Sequence, residues 1–152
     1  MFTLMSLNTI LNQNLVTVNL AGTTKREVIE NLLDMLMTTG KISSREEALR
    51  CILEREEKMS TGIEDGVAIP HGKCGCVSEM VAAAGLIREG MDFQSLDGRP
   101  SRLFILTLSP AHQSGPHIRF LSSVSVLLKD DDLRERIFNA ESDEEFLSML
   151  NE

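Results

Sequence analysis

The sequence predicts an α/β fold: a three-layer sandwich, with a mixed β-sheet and helices on both faces. Three observations carry this. Apolar runs of strand length, at residues 15–20, 67–69, 80–88 and 102–108, are interleaved with helix-length segments. Those segments repeat their apolar residues at helical spacing behind Ser/Thr-x-x-Glu capping pairs. Gly, Pro and Asp gather between the two kinds of segment as turn punctuation. Strand order does not follow from these patterns.

LVTVNL at 15–20 reads as the first strand. Thr24 and Glu27 form a capping box, with the Thr hydroxyl on the Glu27 N–H and Glu27 reaching back. Val28, Ile29, Leu32, Leu33 and Leu36 follow at helical spacing, and Gly40 is the stop. Ser43 and Glu46 form a second box, before a helix that carries Ala48, Leu49, Ile52 and Leu53 and runs to about Lys58. Val67–Ile69 is a short strand set between glycine-containing loops. Residues 80–88 and 102–108 are longer strands, joined through the turn residues Leu96–Pro100. Pro116 suits a helix first turn, with Ile118, Leu121, Val124 and Leu128 on one face. A short helix spans Leu133–Phe138, and Ser142 with Glu145 opens a last one. There is no internal repeat or linker, so residues 1–152 read as one domain.

Composition narrows the function. The hydrophobic fraction is 42%, enough for an ordinary core, and Tyr and Trp are absent. A net charge of −8 without a basic cluster opposes binding to nucleic acid or anionic lipid. No apolar run is long enough to insert in a membrane, and the N-terminus MFTLMSLNTILNQNLV lacks a secretory signal pattern. A cytoplasmic location is expected. Cys51, Cys74 and Cys76 are too few and too uneven for a disulfide framework, and read as free thiols.

His71 is the main candidate for chemistry. It follows the Val67–Ile69 strand, with Pro70 restricting the backbone before it and Gly72 allowing a bend and leaving space over the imidazole. A turn histidine bonded to a backbone carbonyl fits the same residues. Imidazole is suited to carrying phosphate, since one nitrogen attacks while the other keeps its proton. Phosphoryl transfer then calls for cations and N–H donors nearby. Arg55, near the end of the second helix, could supply a guanidinium, or could be a surface residue paired with Glu54, Glu56 or Glu57. Ser60, Thr61 and Gly62 could line an anion site or could simply end a helix, and Gly72 is counted with them as a phosphate-binding position. His117, in a helix first turn, sits where anions are favoured, or faces solvent. His112 lies in a polar loop. A zinc site built from His71, Cys74 and Cys76, with His117, is a rival, although Cys74-Gly75-Cys76 is tighter than the usual zinc pair. Phosphate-loop and nucleophile-elbow motifs are absent, and no cofactor or metal is expected.

From Ser60-Thr61-Gly62-Ile63 through Gly66-Val67-Ala68-Ile69-Pro70-His71-Gly72, the chain resembles the IIA component of the bacterial phosphoenolpyruvate-dependent sugar phosphotransferase system, of the fructose–mannitol class. The nitrogen-regulatory IIA proteins belong to that class. The likeness takes in Arg55-Glu56, Gly90–Phe93, Asp97-Gly98, Ser109-Pro110 and His117 with Leu121. It implies that His71 is phosphorylated, that His117 helps hold the phosphoryl group, that Arg55 is the arginine near that site, and that the fold is an α/β sandwich. It implies an HPr-type carrier as donor, and as acceptor a IIB domain or, in the regulatory branch, a regulated target protein. No fused IIB or IIC segment is expected. Cys74 and Cys76 depart from the family pattern. A binding module that keeps the fold without phosphotransfer is the alternative, and intact His71 and His117 speak against it.

Overall fold

The computed structural model describes residues 10–112 and 114–151. The reading of residues 1–9 as free of a signal pattern lies outside them. In chain order the elements are β1 (Val16–Thr17), α1 (Lys25–Met37), α2 (Arg45–Lys58), β2 (Val67–Ala68), β3 (His71–Cys74), β4 (Val81–Met91), β5 (Ser101–Pro110), α3 (Ser114–Leu128), α4 (Asp131–Phe138) and α5 (Asp143–Leu150).

The sheet is mixed, in the order β1-β4-β5-β2, with β3 also on β5. β4 and β5 are antiparallel, and they pair Val81 with Leu108 through to Leu86 with Leu103 before the register shifts. β1 runs parallel to β4, while β2 and β3 run parallel to successive parts of β5. Leu103–Leu108 are buried without alternation, as expected of a central strand covered on both faces. α1 packs on α2, while α3 packs on α4 and α4 on α5, giving the two outer layers of the expected sandwich. No helix among the described residues is long and apolar enough to cross a membrane.

Local sequence accounts for most helix starts. Thr24, Asp130 and Ser142 each accept a hydrogen bond from the backbone N–H three residues on. The acidic box partners Glu27 and Glu145 reach back one residue further than expected, to the N–H groups of Thr23 and Glu141. The cap of α2 is Ser44, bonded to Glu47 N, and not Ser43. Ser43 is held elsewhere: its N–H and hydroxyl both donate to the carbonyl of Cys76.

Two further expectations are corrected. The 15–20 run begins with the last residue of a 3-10 turn (Gln13–Leu15) and pairs as a strand only at Val16–Thr17. On α3 the buried stripe is His117, Phe120, Val124 and Leu128, whereas Ile118 is 59% exposed. An apolar count passes over His117 and so turns the helix away from its true buried face.

Candidate active site

β3 is built by its neighbour. His71-Gly72-Lys73-Cys74 has little strand propensity of its own, but it pairs in parallel with Thr107, Leu108, Ser109 and Pro110. His71 therefore opens a strand and does not sit in a loop after one. Pro70 makes the break from β2, and its carbonyl accepts from the Thr107 N–H at 3.1 Å. Strand alternation puts His71 and Lys73 on the same sheet face as their partners Thr107 and Ser109.

Gly72 faces the other way. A Cβ there would lie 3.2 Å from the Ile52 nitrogen and 3.3 Å from the Cys51 carbonyl carbon. The expected space over the imidazole is instead space for the α2 backbone, and Gly72 lets α2 approach β3. That approach brings Arg55, one turn further along α2, toward His71.

The His71 Nδ1 lies 2.9 Å from the carbonyl oxygen of Ile69. A carbonyl only accepts, so Nδ1 carries the proton and Nε2 keeps the lone pair. Burial is the main cause that pushes the His71 pKa below its ordinary value, with the charges of Arg55 and Lys73 acting in the same direction; the Ile69 bond and Glu56 oppose it. The His117 ring stands 4.9 Å from that of His71, centre to centre, at 44°. Its Nδ1 is 3.5 Å from Thr107 Oγ1. Burial, then the neighbouring His71, Lys73 and Arg55, pull the His117 pKa down to about 4. Both rings are thus neutral at pH 7, which a nucleophile and a neutral hydrogen-bond donor require.

Arg55 is half-buried, and its Nη1 donates to the Met59 carbonyl at 2.9 Å across the end of α2. Two of the three glutamates that could have held it are engaged elsewhere, Glu54 with Arg50 at 3.1 Å and Glu56 with Lys25 at 2.8 Å.

Ser60, Thr61 and Gly62, expected as phosphate donors, are used to build the turn. Buried Glu56 accepts from the Thr61 N–H at 3.0 Å and from its hydroxyl at 2.6 Å. Ser60 Oγ donates to the Phe93 carbonyl and accepts from the Gly62 N–H. A Cβ on Gly62 would come within 3.0 Å of Ser95 Cα. The turn closes one side of the site and leaves the side chains of Ser60 and Thr61 already partnered.

Sequence reasoning missed three residues here, Lys73, Thr107 and Ser109, and named Glu56 without its role as the anchor of Thr61. Thr107 and Ser109 are polar residues that interrupt and follow the apolar run beginning at Leu103, both buried, which is a signal in itself. The Ser109 hydroxyl has no hydrogen-bond partner among the described residues. His112 is exposed, as its polar loop suggested.

The cysteines are not all free. Cys74 and Cys76, both buried, are joined as a disulfide across Gly75, and Cys51 alone is a thiol. The side chain that approaches the pair is Glu47, with its oxygen and both sulfurs within 4.8 Å of one another. Among the described residues, His71 and His117 belong to no such cluster, so the zinc arrangement drawn from the sequence is not the one that forms. Sulfurs bonded to each other offer no thiolate to a metal.

The site can be set beside known proteins. The family model "Phosphoenolpyruvate-dependent sugar phosphotransferase system, EIIA 2" matches residues 9–152. A fructose-specific EIIA component from Haloferax volcanii is 35% identical over 146 residues, covering 96% of this chain and 95% of that protein. The fructose-specific EIIABC component of Bacillus subtilis is 31% identical over 148 residues, and there the match covers 97% of this chain but only 23% of the longer protein. The crystal structure of nitrogen regulatory protein IIA-Ntr from Neisseria meningitidis superposes with a TM-score of 0.86 at 28% identity, covering 95% of this chain and 98% of that one.

Proposed function

The chain belongs to the EIIA 2 family of the phosphoenolpyruvate-dependent sugar phosphotransferase system, and from that premise we propose that it carries the phosphoryl group on Nε2 of His71. The observation that carries this reading is the bond from His71 Nδ1 to the Ile69 carbonyl. It leaves Nε2 as the ring's lone pair, beside a second neutral imidazole and within the field of Arg55. The donor is a phosphohistidine on an HPr-type carrier. In the transfer, the donor N–P bond breaks as the Nε2–P bond forms in line. The Nδ1 proton stays on His71, where the Ile69 carbonyl stabilises the charge that the ring gains. A donor ring protonated on its other nitrogen leaves as neutral imidazole.

Catalysis here is positioning and charge. Arg55 offers a guanidinium to the equatorial oxygens, and His117 offers a ring N–H. The phosphoryl group then passes to a cysteine of a IIB domain for sugar uptake. A second reading, that the phosphorylation state of His71 regulates a target protein in the cytoplasm, draws support from the likeness to the nitrogen regulatory protein of Neisseria meningitidis.

The test is intact mass after incubation with phosphoenolpyruvate, Enzyme I and an HPr-type carrier, beside a His71→Ala variant. One acid-labile phosphoryl group on the parent and none on the variant is the expected outcome. A parent that gains none from any such carrier overturns the proposal in favour of a binding module.

A further inference from the structure

We propose that Thr107 is a positioning residue: its hydroxyl fixes the ring tautomer of His117 and so assigns opposite roles to the two imidazoles. This rests on the reading that His71 bears the phosphoryl group. Two neutral histidines face each other at 4.9 Å, and nothing in the imidazole ring itself says which is to attack and which is to donate. The second nitrogen of each ring decides it. For His71 that nitrogen meets a carbonyl, and the Nε2 lone pair follows. For His117 it meets the hydroxyl of Thr107, which is 1% exposed and in register with His71 across the β3–β5 ladder.

A hydroxyl can either give or take, so the choice is made by what each arrangement leaves unpaired. Among the described residues the Thr107 hydroxyl has this one partner. If His117 Nδ1–H donated to it, the hydroxyl proton would be buried with no acceptor, and the His117 Nε2 lone pair would be a second nucleophile beside the first. If the hydroxyl donates to Nδ1, its proton is paired and the ring proton sits on Nε2, an atom that is not both buried and unpartnered among the described residues, so a proton there is not orphaned. An orphaned buried donor is the costlier defect. The second arrangement therefore holds, and it gives His117 an N–H for a phosphoryl oxygen while removing its capacity to attack phosphorus. Apo hydrogen bonds of this length shorten when the charge they serve arrives, and a phosphoryl group on His71 is such a charge.

The experiment uses the whole chain, with long-range proton–nitrogen NMR spectra of the histidine rings in the parent, Thr107→Val, Thr107→Ser and Ser109→Ala. The parent, T107S and S109A are expected to hold His117 in the Nε2–H form, and T107V to shift it toward the Nδ1–H form. The phosphorylated T107V chain is expected to lose its phosphoryl group about tenfold faster than the parent, with T107S restoring the parent rate. An Nδ1–H form of His117 in the parent, or the same tautomer in T107V as in the parent, overturns the proposal. If no carrier phosphorylates the parent, the proposed function fails, and the tautomer spectra of the unmodified chain still decide the role of Thr107.

Discussion

Glu56 offers the strongest test of how the site is held. It is 8% exposed, and its carboxylate accepts from Lys25 Nζ at 2.8 Å, from the Thr61 N–H at 3.0 and 3.2 Å, and from the Thr61 hydroxyl at 2.6 Å. Truncation to Ala leaves these groups with different fates. Lys25 is 21% exposed at its side chain and regains water, at little cost. Thr61 is 3% exposed, so its N–H and hydroxyl stay dry and unpaired, at about 1–3 kcal/mol each. The two losses share one partner and do not simply add, so Glu56→Ala is expected to destabilise the chain by about 3–5 kcal/mol. Glu56→Gln keeps one acceptor oxygen and turns an NH₂ toward one donor, for about half that loss. Urea unfolding reads both, with an unchanged m-value certifying that the midpoint shift is a stability change. A loss below about 1 kcal/mol for the Ala variant would refute the reasoning, because it would mean that water reaches Thr61.

Three further outcomes are expected. Gly72→Ala sets a Cβ against the backbone of Ile52 and Cys51, which cannot step aside as a side-chain tip would; a destabilisation of about 1–3 kcal/mol and slower phosphoryl acceptance should appear together in urea unfolding and mass kinetics. His117 stays neutral in the folded chain down to about pH 4, whereas the unfolded chain protonates it from about pH 6.5, so stability should fall by roughly 3 kcal/mol as pH drops across that window and level off below it. His117→Gln should flatten that limb of the urea-midpoint profile, and an unchanged slope would count against the depressed value. Arg55→Gln removes a positive charge that depresses the His71 pKa, so NMR titration should find it raised, with phosphoryl acceptance slowed by roughly a hundredfold.

Local chemistry was legible, and tertiary choices were not. The caps at Thr24 and Ser142 depend on residues within one turn, and the sequence states them. Ser43 and Ser44 each have a glutamate three residues on, and what selects Ser44 is the distant Cys76 carbonyl that takes Ser43. β3 could not be read because its strand character comes from β5, where Thr107 and not a near neighbour pairs with His71. Gly72 was seen as space, but which neighbour needed that space depended on where α2 packs. The Pro-His-Gly setting left His71 open between a phosphoryl carrier and a turn histidine bonded to a backbone carbonyl; the carbonyl bond forms, to Ile69, and leaves the Nε2 lone pair free for the first reading. Thr107 went unnoticed because the run Leu103–Leu108 reads as core, and one hydroxyl within it reads as an exception.

The parallel pairing of β3 with β5 bears on when the protein becomes competent during synthesis. His71 leaves the ribosome well before Ser101–Pro110, and those residues well before α3 is complete. Until β5 emerges, His71 has no strand to join, and until α3 docks it has no second imidazole beside it. A nascent or proteolytically clipped chain can thus expose His71 without the groups that flank it in the finished fold. On the proposed function, stable phosphorylation of His71 would report on the finished fold, and a carrier that offers each chain a phosphoryl group would be sorting folded molecules from unfinished ones.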